Sequence, residues 1–223
     1  LGVILKELGK LEEAVASYKK AITLKPNYAE AHSNLGDAFK EKGRFEEALA
    51  SYKQAILLKP SLVDTFLNLG ATFNDLGRFK DASESYKQSI FLNPNYAEAY
   101  YNLGVTLQEL NRLEEAEANY RLAIEINPEY LECHNQLLKC VYLLDKKTSF
   151  INQLEYFINQ DIANAVVGSL ACRSELKYGL KKTNPFCNKP LKHVLHVDLN
   201  SKIDFEEVFV TNAKSILYEK KIS

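Results

Sequence analysis

Residues 33–39 read SNLGDAF, residues 67–73 read LNLGATF and residues 101–107 read YNLGVTL. With Gly2, their glycines Gly36, Gly70 and Gly104 stand at a constant interval of 34 residues. Pro26, Pro60, Pro94 and Pro128 keep the same step, as do Ala14, Ala48, Ala82 and Ala116, and Tyr18, Tyr52, Tyr86 and Tyr120. A strict period of this length means stacked supersecondary units, and it outranks any residue-by-residue assignment.

Within one unit, Ala31, Leu35, Ala38 and Phe39 fall on one face of a helix, and Phe45, Ala48, Leu49, Tyr52, Ala55 and Ile56 on one face of a second. Gly43 between them predicts a left-handed stop, and Pro60 ends the second helix because it has no N–H to donate. Each repeat is therefore expected to be a helical hairpin. The pairs Asn27–Glu30, Ser61–Asp64 and Asn95–Glu98 predict capping boxes that start each unit. Gly36 and Ala48 are small so that the two helices can approach, with Tyr52 filling the groove left beside them.

The stretch FLNLGATF at 66–73, followed by Ala82, Tyr86 and Pro94, resembles the tetratricopeptide repeat. That resemblance covers residues 1–128 and implies an all-α fold, a right-handed superhelical solenoid of helical hairpins. The first unit begins partway through its first helix, so the solenoid is expected to be cut at its front; Met is absent, including at position 1. The expected organisation is a solenoid at 1–128, a degenerate repeat with capping helices at 129–180, and a linker with the start of a further domain at 181–223.

In tetratricopeptide arrays the first helix of each pair lines the concave face, which the resemblance carries over to Asn34, Asn68 and Asn102, with Gln136 at the equivalent place in the next unit. A side-chain amide offers two donors and an acceptor, so a ladder of amides can bond the backbone of an extended peptide without reading its side chains. A similar asparagine ladder occurs in the repeats of O-linked N-acetylglucosamine transferases. The competing reading is that the asparagines are repeat-consensus residues facing water. Asp37, Glu41 and Tyr101 complete the candidate groove. Together with Glu30, Asp64, Asp75, Glu98 and Glu109 they predict an acidic face, with Lys40 the main positive exception. Such a face argues against the lysine-rich clamp by which some tetratricopeptide domains hold a C-terminal carboxylate, and favours a neutral or basic ligand.

The composition agrees with a binding module. The net charge is −1, which leaves no basic surplus for nucleic acid. No apolar run approaches the ~20 residues that cross a bilayer. Four cysteines in 223 residues read as reduced thiols, hence the cytoplasm. A protein or extended peptide in the groove is the expected partner, and no cofactor or metal is expected.

Beyond residue 128 the consensus fails: Leu138 stands where Gly belongs and Phe150 where Ala belongs. Phe150, Ile151, Leu154, Phe157 and Ile158 still predict a helix, and residues 162–176 a further one stopped near Gly179. Leu191, His193, Leu195, Val197 and Leu199 alternate as a strand, and a last helix follows Asp204 and Glu207. Residues 131–223, with CRSELKYGLKKTNPFCNKPLKHVLHVDL, resemble the junction that precedes a 2-oxoglutarate and iron(II) oxygenase domain in bacterial tetratricopeptide proteins. An arm of such an oxygenase, or of a glycosyltransferase or sulfotransferase, is the alternative function. No enzyme is visible in the chain itself. His196 and Asp198 have the spacing of a facial-triad pair, but no histidine follows His196 to complete it. Cys172, Cys187, His193 and His196 contain no close cysteine pair for zinc.

Overall fold

The computed structural model describes residues 1–160 and 165–179. Helices α1 (Gly2–Glu7), α2 (Leu11–Leu24), α3 (Ala29–Glu41), α4 (Phe45–Leu58), α5 (Val63–Asp75) and α6 (Phe79–Leu92) form three consecutive pairs. They are followed by α7 (Ala97–Glu109), α8 (Leu113–Ile126), α9 (Leu131–Leu143), α10 (Lys147–Asn159) and α11 (Ala165–Tyr178). No strand occurs among the described residues. The expected strand at 191–199 and the last helix lie outside them. Contact clustering puts Leu1–Gln153 in one compact unit and Leu154 onward in another.

Each hairpin turns on one left-handed residue. Gly9, Gly43 and Gly77 have φ of 71°, 72° and 69°. In the next two units Asn111 and Asp145 take the same place at 57° and 58°; these two residue types tolerate this region best after glycine. The chain then folds back through a six-to-one bond that satisfies a terminal carbonyl: Arg44 N donates to Phe39 O at 2.9 Å, Arg78 N to Phe73 O at 2.8 Å and Arg112 N to Leu107 O at 2.8 Å. The period outlives the consensus. Helices α7, α9 and α11 begin at Ala97, Leu131 and Ala165, each 34 residues after the last, and Gly179 repeats the left-handed turn at 65°.

The expected capping boxes are not formed. The N-cap residues are Tyr28, Leu62 and Tyr96, and none makes a side-chain cap bond. A backbone turn around the proline does the work instead: Tyr28 N donates to Lys25 O at 3.1 Å, and Leu62 and Tyr96 donate to Lys59 and Asn93 at 3.3 Å. That turn leaves Asn27, Ser61 and Asn95 one residue short of the cap. Their acidic partners are used between units: Glu30 accepts from Lys59 Nζ at 2.7 Å, and Asp64 from the Tyr96 hydroxyl at 3.1 Å.

Packing follows one rule repeated. Tyr52, Tyr86 and Tyr120 are fully buried, each ring lying on the glycine of its own hairpin. A Cβ at Gly36, Gly70 or Gly104 would come within 2.5, 2.7 and 2.6 Å of the facing tyrosine Cε1. Ala48, Ala82 and Ala116 are wholly buried where the paired helices come close. In the fifth unit Leu138 and Phe150 are both fully buried, and Leu154 replaces the tyrosine, so bulk moves from the tyrosine position to the glycine position.

Within residues 1–153 each helix touches the next in sequence, and α3, α5, α7 and α9 also touch one another in succession. Even-numbered helices have no comparable mutual contact among the described residues. The odd-numbered row is therefore the shorter, inner side. Ser33 and Thr65 hydroxyls meet at 2.8 Å across that row, and Asn74 Nδ2 donates to Thr106 Oγ1 at 2.9 Å.

Gly70→Ala is expected to destabilise the unit by about 1–3 kcal/mol, because the new methyl must displace the Tyr86 ring inside a filled core. Gly77→Ala, which meets nothing within 4 Å but has φ +69°, should cost about 1 kcal/mol from backbone strain alone. Urea denaturation midpoints of the two variants separate these effects.

Candidate peptide-binding groove

Asn34, Asn68, Asn102 and Gln136 lie on α3, α5, α7 and α9, one on each helix of the inner row, and all four are half-buried. Their amides are not equally free. Asn68 Nδ2 donates to Asp37 Oδ1 at 2.9 Å, and Gln136 hydrogen-bonds the Tyr101 hydroxyl. Asn34 and Asn102 side chains make no hydrogen bond to any described residue. Tyr101 is held from the other side by Tyr130 and Tyr120, at ring-centroid distances of 5.0 and 6.2 Å.

Three of the candidate residues come together in a cleft of about 570 Å³, where Asp37, Glu41 and Asn68 are joined by Asp75. Lys6, Lys40 and the Phe45 and Tyr52 rings complete its wall. Asp37 is its most constrained member. One oxygen accepts both the Tyr52 hydroxyl at 2.8 Å and the Asn68 amide. Burial pushes the Asp37 carboxyl above its usual range, and the Tyr52, Lys6 and Asn68 contacts work against that. In turn, burial and the neighbouring Asp37 charge push the Tyr52 phenol far up, so it is always a donor here.

The acidic face is largely neutralised, contrary to the expectation from residue identity. Lys6 reaches Glu41 at 3.3 Å and Asp37 at 4.0 Å, Lys40 reaches Asp75 at 3.8 Å, and Lys59 holds Glu30. Reading one helix at a time missed Lys6 and Lys59, because each pairs with an acid in the following unit or across its own hairpin. The signal was available in the period: a lysine 31 residues before Asp37 and 29 after Glu30 falls on an adjoining helix.

The histidines and cysteines are structural, as their repeat positions imply. His32 Nε2 lies 3.0 Å from Pro26 O and His134 Nε2 lies 2.8 Å from Pro128 O, each ring tying down the turn that precedes its helix. For His134, Gln153 Nε2 lies 2.7 Å from Nδ1, so the neutral tautomer protonated on Nε2 satisfies both contacts. The Cys133 and Cys140 thiols are buried and donate to the Tyr120 and Leu113 carbonyls. Burial pushes them up to about 12 and about 11, leaving neither as a nucleophile at neutral pH. No cluster of potential metal ligands occurs among the described residues; His193, His196 and Cys187 lie outside them. No described helix is long and apolar enough to cross a membrane.

A row of like hairpins with a polar inner face defines a helical repeat protein of the interaction type. Family models of the TPR repeat match residues 2–43, 36–76 and 72–111, and the tetratricopeptide repeat model matches 97–130. The chain belongs to the tetratricopeptide repeat family. Among solved structures it is similar to Pseudomonas aeruginosa PilF, with a TM-score of 0.74 at 15% identity over 99% of this chain and 94% of that one. It is also similar to YrrB, described as a TPR protein with an unusual peptide-binding site: TM-score 0.66, 22% identity, 78% of this chain and 88% of that one. The first TPR of Spaghetti, bound to the HSP90 peptide SRMEEVD, matches at a TM-score of 0.52 and 26% identity over 52% of this chain and 93% of that one. No curated protein matches significantly by sequence.

Burial holds the His134 imidazole below its ordinary 6.5, against the opposing pull of its Pro128 and Gln153 hydrogen bonds. The folded state then prefers the neutral ring, so stability is fully present above that value and is lost as pH falls through the depressed one. Urea melts at about pH 7.5 and 5.5 should show this loss, and His134→Gln should reduce it.

Proposed function

We propose that this chain binds an extended segment of a partner protein along the inner row of α3, α5, α7 and α9. Asn34, Asn68, Asn102 and Gln136 bond its backbone, while Asp37, Glu41 and Tyr101 line its path. The observation that carries this reading is the pair of half-buried amides, Asn34 and Asn102, whose donors and acceptors no described residue uses. Half-buried amides gain most from a ligand that satisfies them where water is restricted. The likeness to YrrB and to the peptide-bound Spaghetti domain supports the same use of the fold.

In this proposal residues 1–128 are the binding arm, 129–180 close it, and 181–223 lead into a further domain. The buried, reduced Cys133 and Cys140 fit a reducing compartment, and we assign the protein to the cytoplasm.

Replacing Asn34, Asn68 and Asn102 together by Ala tests the ladder. Each amide bond is worth about 1 kcal/mol, so capture of an immobilised peptide library should weaken tenfold or more. Unchanged capture would reduce the asparagines to consensus residues. A thermal melt keeps binding and folding apart.

A further inference from the structure

The repeat pattern breaks at one inner position. Asp37 occurs where the other units carry Val3, Ala71, Val105 and Lys139, so no other unit places an acid there. Its Oδ1 is filled by the Tyr52 hydroxyl and the Asn68 amide, which hold the carboxylate rigid. Its Oδ2 has only the Lys6 ammonium, at 4.0 Å, beyond hydrogen-bond reach. An oriented acceptor is left open toward the cleft that Asp37 lines.

A second feature, independent of the acids, lies at the same end of the cleft. Tyr52, Tyr86 and Tyr120 each hydrogen-bond a side chain on the first helix of their own hairpin, namely Asp37, Asn74 and Gln108. Tyr18, at the corresponding position over Gly2, is only 6% exposed, and its hydroxyl has no partner. Val3 offers it nothing, and Lys6 is drawn away toward Glu41. After burial, the strongest influences on that hydroxyl are the Asp37 and Glu41 carboxylates of the cleft wall.

We infer that this cleft between α1, α3 and α5 receives an arginine side chain of the bound peptide. Three carboxylates, Asp37, Glu41 and Asp75, face two ammoniums, Lys6 and Lys40, so the cleft is short of one positive charge. A planar guanidinium carries five donors. It serves the open Asp37 oxygen and the Glu41 carboxylate together and offers a proton to the Tyr18 hydroxyl. Phe45 and Tyr52 supply ring surface for its flat face. Lysine, a compact and strongly hydrated point charge, fits that set less well. Lys6 holds the cleft's charge when no ligand is present and competes with the incoming arginine.

This inference rests on the groove reading above and adds the ligand's side chain to it. The test uses blocked peptide libraries, each with one position fixed as Arg, Lys, citrulline or Glu and the rest randomised, captured on the immobilised chain. Arginine-fixed peptides should be retained about tenfold over citrulline-fixed ones, the loss expected for one charge-assisted contact. Asp37→Asn keeps an acceptor for Tyr52 and Asn68 and should abolish that preference. Lys6→Ala should raise arginine retention severalfold, a gain that a folding defect cannot produce. Retention without preference for arginine, or a preference that survives Asp37→Asn, would overturn the inference and leave the groove standing. If no library is retained at all, the groove reading falls and takes this inference with it.

Discussion

The contact between a glycine on the first helix of each hairpin and a tyrosine ring on the second sets the rest of the architecture. Because the ring occupies the space a Cβ would need, the two helices close to a fixed distance, and the tyrosine hydroxyl emerges at the inner face. That hydroxyl is polar and nearly buried, so it requires a partner. The partner in turn determines which inner side chains are committed to the fold and which remain available. Packing and binding surface are thereby coupled through one residue per unit.

This coupling explains why the inner row is uneven although the repeats are alike. Where the tyrosine finds Gln108 or Asn74, its own unit satisfies it and the neighbouring amide is spared. At Tyr52 it finds Asp37, which also takes the Asn68 amide, so two units share one carboxylate. At Tyr18 it finds nothing. The ends of the row differ from its middle in hydrogen-bond bookkeeping, not in helix geometry, and the candidate ligand chemistry follows those differences.

Most of the fold was legible before any coordinate was. The 34-residue period, the glycine and tyrosine positions and the left-handed Gly43 all appear in the structure as read. The capping boxes did not, since Asn27, Ser61 and Asn95 have the right residue types but sit one position early in a turn held by backbone bonds. The continuing register at Asn111 and Asp145 was hidden by the loss of glycine, although both residues accept the same backbone conformation. Of the site, the amide positions were legible and their occupancy was not: nothing local to Asn68 announces that Asp37 claims it.

By itself the sequence determined the hairpin, its period and its inner face, because these follow from helical periodicity and from volumes that match within a single 34-residue unit. Only the tertiary structure decided the charge and hydrogen-bond state of that face. Lys6 with Glu41, Lys40 with Asp75 and Asn68 with Asp37 are pairings between units. Such pairs depend on how far one helix is carried past the next, a distance that stacking sets and that no single repeat encodes.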